Sequence, residues 1–165
     1  MRLDRSARRT DAAVCAVNNL EIHLNIRILF MGGSVYWREK ITKNAAQGSA
    51  ILSDPKFLTM IEKHPRFDFT NQSSAEIASK LRGTSDIMIK VGFYSRWFTR
   101  AIAYESGGAV YFNMKKESRG AGSIGNIVHE VMHSLGYSHD GNNSSGNEGT
   151  VPYQIGNWAE TWPVS

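Results

Sequence analysis

The chain has 165 residues, 41% of them hydrophobic and 21% charged, which is ordinary globular usage and excludes wholesale disorder or a low-complexity fibre. That length fits one domain, and the single cysteine, Cys15, excludes an intramolecular disulfide framework. Nineteen Lys+Arg against 15 Asp+Glu leave a net charge of +4, too mild to select a partner by itself.

Four of the positive charges, Arg2, Arg5, Arg8 and Arg9, fall in the first nine residues. Residues 1–19 therefore read as a poorly ordered arm. No aromatic residue interleaves with these arginines, so the stacking half of a single-strand binding site is missing and nucleic acid is not the favoured partner. The apolar run Ala12–Val17 is only six residues long, shorter than the ~7–15 of a secretory h-region. Ile26–Met31 contains Arg27 and falls far short of the roughly 20 residues that span a bilayer. Neither a signal peptide nor a membrane span is expected, and the compartment stays open.

From Leu20 to Met31 the alternation of apolar and polar residues predicts a strand, closed by Gly32-Gly33. Tyr36–His64 reads as helix with a break at Ser53-Asp54-Pro55, where Ser53 or Asp54 caps a second helix opened by Pro55. Phe67–Phe69 is a candidate short strand. Ser73–Leu81 predicts a helix with a capping box, Ser73 and Glu76 being three apart. Asp86–Tyr94 alternates Ile87, Ile89, Val91 and Phe93 on one face, and Ala101–Tyr104 and Ala109–Met114 predict two strands joined by Glu105–Gly108. From Ser123 to Tyr137 the period turns helical, with Ile124, Ile127, Val128, Val131 and Leu135 on one stripe. The Gly-, Asn- and Ser-rich tail after Gly136 shows no convincing long helix. The order implies an α/β (α+β) layering in one domain, residues 20–165.

The chemistry concentrates in His129-Glu130-Val131-Met132-His133-Ser134-Leu135-Gly136-Tyr137-Ser138-His139-Asp140. His129 and His133, four apart on a helix, project from one face and are able to hold one ion. Glu130, beside the first ligand, is placed to reach a metal-bound water rather than the metal. Gly136 suits the left-handed turn that ends a helix, and that turn brings His139 back as a third ligand. Three histidines with one position left open make a catalytic rather than a structural Zn²⁺ site, one ion per chain.

This HExxHxxGxxHD run resembles the zinc signature of the metzincin clan of metalloendopeptidases. The resemblance implies a twisted mixed sheet with an antiparallel edge strand above the cleft, a backing helix, an active-site helix and a very small C-terminal subdomain. It implies His129, His133 and His139 as zinc ligands and Glu130 as general base. Asp140 after the third histidine resembles the adamalysin pattern. Metzincins carry a methionine in a tight turn under the metal; no methionine follows Met132 here. The candidate turn is Thr150–Tyr153, with Val151 in the methionine's place and Tyr153 where astacins and serralysins place a tyrosine near zinc. With VPYQIG near the C-terminus, the chain looks most like small bacterial metzincin-type proteases, which lean to secretion.

The implied activity is zinc-dependent endopeptidase action by a monomer, on a peptide or protein laid along the edge strand near Ala101–Tyr104. Glu130 and Tyr153 are the candidate catalytic residues. Two other readings are a non-proteolytic zinc-containing binding module with a basic arm, and a cell-wall peptide hydrolase. His23, His64 and the four tryptophans read as structural, and Asp140 as a residue that fixes its loop by bonding nearby backbone.

Overall fold

The computed structural model describes residues 23–140 and 146–163; the expected N-terminal arm and Cys15 lie outside the described residues. The described part begins with a strand, β1 (Asn25–Phe30), followed by a long helix, α1 (Val35–Ser53). Ser34 opens α1 by accepting from the Trp37 N–H. Asp54 ends it and caps the next helix, α2 (Pro55–Glu62), accepting from Lys56 N at 2.8 Å with Pro55 in the first turn. The expected break is thus observed, and Asp54 rather than Ser53 is its cap.

Phe67–Phe69 forms only one bridge, Asp68 to Thr150. The third helix, α3 (Ser74–Arg82), has both halves of the capping box: Ser73 Oγ accepts from Glu76 N, and the Glu76 carboxylate accepts from Ser73 N at 2.7 Å. These bonds hold Glu76 below the usual carboxylate range. A long strand, β2 (Asp86–Tyr94), a hairpin of β3 (Ala103–Ser106) and β4 (Ala109–Asn113), and a 3₁₀ segment, Met114–Arg119, follow. The chain then runs into α4 (Ile124–Ser134) and α5 (Val151–Thr161).

The four strands form one mixed sheet in the order β1-β2-β4-β3. β1, β2 and β4 are parallel, and β3 runs antiparallel along the outer edge of β4. The architecture is α+β, as the element order implied. Ile26 on β1, Ile87, Ile89 and Val91 on β2, and Val110 and Phe112 on β4 face a core completed by α1, α4 and α5. Along the opposite edge, β1, no strand pairs among the described residues; Ile26 N, and Leu24 N just before the strand, donate at 3.0 Å to Ser49 Oγ and Ser53 Oγ of α1. A helix thereby caps an edge that would otherwise template strand addition.

The hairpin turns through Gly107 and Gly108, with φ of 58° and 70°. Positive φ at both central residues is the type I′ geometry whose twist matches the flanking strands. β3 lies two residues nearer this turn than the expected Ala101–Tyr104. The reason is Asn113, fully buried, whose amide accepts from Arg96 N and donates to the carbonyls of Arg96 and Ala101. Residues 95–101 are thereby bent into a loop rather than extended.

The tail holds the main correction. Thr150–Tyr153 is no turn: Thr150 is the N-cap of α5, Pro152 sits in its first turn, and Val151, buried, is its first residue. The helix runs eleven residues and packs against α4. Gly125 and Gly156 allow that closeness; a Cβ on Gly125 would lie 2.7 Å from Gly156 O, and one on Gly156 would lie 2.8 Å from Gly125 O. Glu160 of α5 adds a cap to α4, accepting from Gly125 N at 2.6 Å.

Among the described residues no helix is long and apolar enough to cross a membrane.

Candidate metal centre

Helix α4 lays Ile127, Val128, Val131 and Met132 into the core, which leaves His129, Glu130 and His133 on the side facing the cleft. Its end is a Schellman closure: Gly136, at φ 91°, donates to His133 O at 2.8 Å, and Tyr137 N donates to Met132 O at 3.1 Å. Tyr137 is buried and anchors the turn by donating its hydroxyl to Gln72 Oε1 at 2.7 Å. The reversed chain then delivers His139 to the helix.

The three imidazoles converge. Nε2 of His133 is 3.0 Å from Nε2 of His129 and 3.1 Å from Nε2 of His139, and the third edge is 3.2 Å. A tetrahedral ion with Zn–N bonds of ~2.0–2.1 Å places its ligand atoms about 3.3–3.4 Å apart, so the triangle is of the right size. The outer nitrogens are held as metal ligands require: His133 Nδ1 lies 2.8 Å from Tyr137 O, and the Pro152 carbonyl hydrogen-bonds the His129 ring. With its proton directed to Tyr137 O, the His133 ring offers a lone pair at Nε2. These three residues lie close enough to bind one metal ion, and they are the three that the sequence singled out.

Burial, and then the neighbouring rings of His133 and His139, push His129 down to about 3, so it stays neutral at physiological pH. Burial, and then Glu105 across the cleft, push Glu130 up to about 7. A carboxyl poised near neutrality is suited to exchanging a proton, and a cation among the three rings would draw its value down. Glu130 and His133 line a cleft of about 310 Å³ whose opposite wall is Lys90 on β2 and Glu105, Gly108 and Val110 of the hairpin.

Tyr153 arrives from the first turn of α5, with its ring 4.6 Å from that of His129 and 4.8 Å from that of His139. Burial raises its phenol, and Glu130 and Glu148 raise it further, so it stays a donor at neutral pH. The expected position beside the histidines is observed, although a helix rather than a turn supplies it. Asp140 is tied to the residues that lead into α5 by a residue the sequence did not flag: Asn147, buried, accepts from Asp140 N at 3.2 Å and donates to Asp140 O at 2.6 Å. Asn147 O in turn accepts from Thr150 N and Oγ1. Gly156 is the second missed residue; a Cβ there would stand 3.3 Å from His129 Cβ.

The remaining histidines are away from the centre. His23 is exposed, and His64 packs its ring on Phe67 and Trp158. Trp37 is in the core, Trp158 and Trp162 are half-buried against it, and Trp97 is exposed.

The chain matches no protein-family model, and no curated protein or solved structure is similar to it at a significant level.

Proposed function

We propose that the protein is a zinc-dependent peptide hydrolase whose site is organised as in the metzincins it resembles. The observation that supports this most is the Nε2 triangle of His129, His133 and His139 with 3.0–3.2 Å edges, beside a carboxyl held near neutrality. Three imidazole nitrogens and an open fourth position suit zinc and leave room for substrate. One bound ion would supply Lewis-acid polarisation of a carbonyl and acidify a water.

The chain's own groups do the rest. The Glu130 carboxylate accepts a proton from the attacking water and passes it to the departing nitrogen, a role its cleft-facing position allows. The Tyr153 hydroxyl donates to the oxygen on which negative charge develops. β3 offers its outer edge to an extended peptide. In a hairpin with a two-residue turn, Ser106 and Tyr104 exchange bonds with Ala109 and Tyr111, so the N–H and C=O groups of Ala103 and Glu105 point away from the sheet. Those four groups are the ones a substrate strand would pair.

The test is cleavage of a mixed peptide set by protein stripped with a chelator and then reloaded with one equivalent of zinc. Cleavage restored by zinc supports the reading. Stoichiometric zinc with every peptide intact would leave a zinc-containing binding module and overturn hydrolysis.

A further inference from the structure

Between β2 and β3 the loop of residues 95–102 leaves two consecutive aromatic residues, Trp97 and Phe98, exposed to solvent. Phe98 is as exposed as in an extended chain, 104%, and Trp97 is 65% exposed. Their neighbours are cationic. From Ser95 to Lys116 the chain carries Arg96, Arg100, Lys115 and Lys116 and one acid, Glu105. Glu117, next in sequence, is engaged by Lys40 at 2.8 Å and by the Tyr36 hydroxyl, so it offsets little of that charge.

The loop is held in this conformation. Its two ends are tied by the buried Asn113 amide, and the Tyr94 hydroxyl donates to Ala101 O at 3.1 Å. Trp97 is fixed from the adjacent 3₁₀ segment: Lys116 Nζ donates to its carbonyl at 2.8 Å, and Lys115 Nζ stands 4.9 Å from its ring centroid. A fully buried, fully bonded asparagine therefore serves a loop whose product is an apolar tip in water. Exposed aromatics of this kind mark an interaction site.

We propose that this tip docks the protein on an anionic lipid surface. An exposed indole and phenyl ring at successive positions, with Arg96 and Arg100 close in sequence and Lys115 over the indole, are the chemistry that partitions into the headgroup region, where aromatic rings sit at the boundary and cations meet acidic lipids. The tip projects rather than lining a groove, whereas single-stranded nucleic acid is held in a basic groove that tracks its backbone. Docking is independent of hydrolysis. Its consequence for the candidate site is positional: the loop leads directly into β3, so the open edge would be presented next to the membrane.

The probes are vesicles of phosphatidylcholine alone and of phosphatidylcholine with phosphatidylglycerol, in a sedimentation assay at low and high salt. Wild-type protein is expected to co-sediment only with the anionic vesicles, with salt weakening it. Phe98→Ser should reduce binding at least about tenfold, in line with loss of one buried aromatic, and leave the melting curve unchanged because its side chain is fully exposed. Wild type should show a blue shift in tryptophan emission on docking, and Trp97→Phe should bind but lose that shift. Equal sedimentation with neutral vesicles, no sedimentation with either, or full binding by Phe98→Ser would overturn the proposal. So would loss of a single-stranded oligonucleotide, rather than of vesicles, in Phe98→Ser.

Discussion

Helices α4 and α5 are equal in length, eleven residues each, and pack against one another, yet they divide the work of the candidate site unequally. α4 supplies two of the three converging histidines and the carboxyl; α5 supplies one tyrosine, a cap from Glu160 and a glycine that lets His129 sit where it does. α4 carries donor atoms, so its substitutions act on chemistry. α5 sets distances, so its substitutions act on geometry and stability. This division says which substitutions should abolish function and which should only degrade it.

The largest effect belongs to a ligand. His133→Ala removes an Nε2 that is within 3.1 Å of both others, and zinc affinity should fall by more than the ~10–100-fold that loss of an outer-shell partner produces. Equilibrium dialysis against zinc reads this directly, and unchanged affinity would break the distinction between the helices.

Glu130→Gln comes next. It keeps size and helix but removes the base, so hydrolysis should fall by at least ~10² with zinc content unchanged. It should also stabilise the metal-free protein. A carboxyl raised from 4.5 to about 7 by folding contributes stability below pH 4.5 that is lost as pH rises through about 7. Above that pH its removal should gain up to about 3 kcal/mol. His129 works in the opposite sense. Its value is lowered from 6.5 to about 3 by folding, so its contribution grows as pH rises from 3 to 6.5. Stability of the chelated protein should therefore change little between pH 4.5 and 6.5 in wild type, where the two contributions offset each other, and should rise with pH in Glu130→Gln. A variant no more stable than wild type at pH 8 would mean that Glu130 is not strained by its surroundings.

On α5, Gly156→Ala puts a methyl 2.8 Å from Gly125 O and 3.3 Å from His129 Cβ. The helices must separate, which should destabilise by about 1–3 kcal/mol and weaken zinc binding, while Asn157→Ala, one residue on and exposed, should stay within about 0.5 kcal/mol. Thermal melts with and without zinc separate the two effects. Tyr153→Phe should leave zinc and stability intact and lower kcat more than it alters KM; lost stability with normal kcat would make the ring a packing group. The smallest effect is on β3. Ala103→Pro deletes one outward N–H without touching the pairing with β4, so KM for peptides should rise severalfold in a protein with a normal melting curve.

The same two helices show what was legible in the sequence. α4 has an uninterrupted apolar stripe, a serine cap and a glycine stop, so local propensity and tertiary role agree, and its two histidines are placed by helical spacing alone. In α5 Val151, Ile155 and Ala159 keep a helical spacing and are all buried, but Pro152, Gly156 and Asn157 lower the propensity. Gly156 costs the isolated helix about 1 kcal/mol and is present because a larger residue would collide with α4. The feature that hid the helix is the one that seats it. Asn147, Asn113 and Glu160 left no trace of another kind: each acts on backbone distant in sequence, and a lone polar residue carries no period. Asn113 is also why the edge strand begins two residues later than its apolar run suggested.

The most direct test is X-ray absorption on the protein loaded with one equivalent of zinc. Three imidazole nitrogens at ~2.0–2.1 Å and one exchangeable oxygen are expected, with one nitrogen lost in His139→Ala. Zinc closed by four protein ligands, or a zinc environment unchanged in His139→Ala, would contradict an open three-histidine centre.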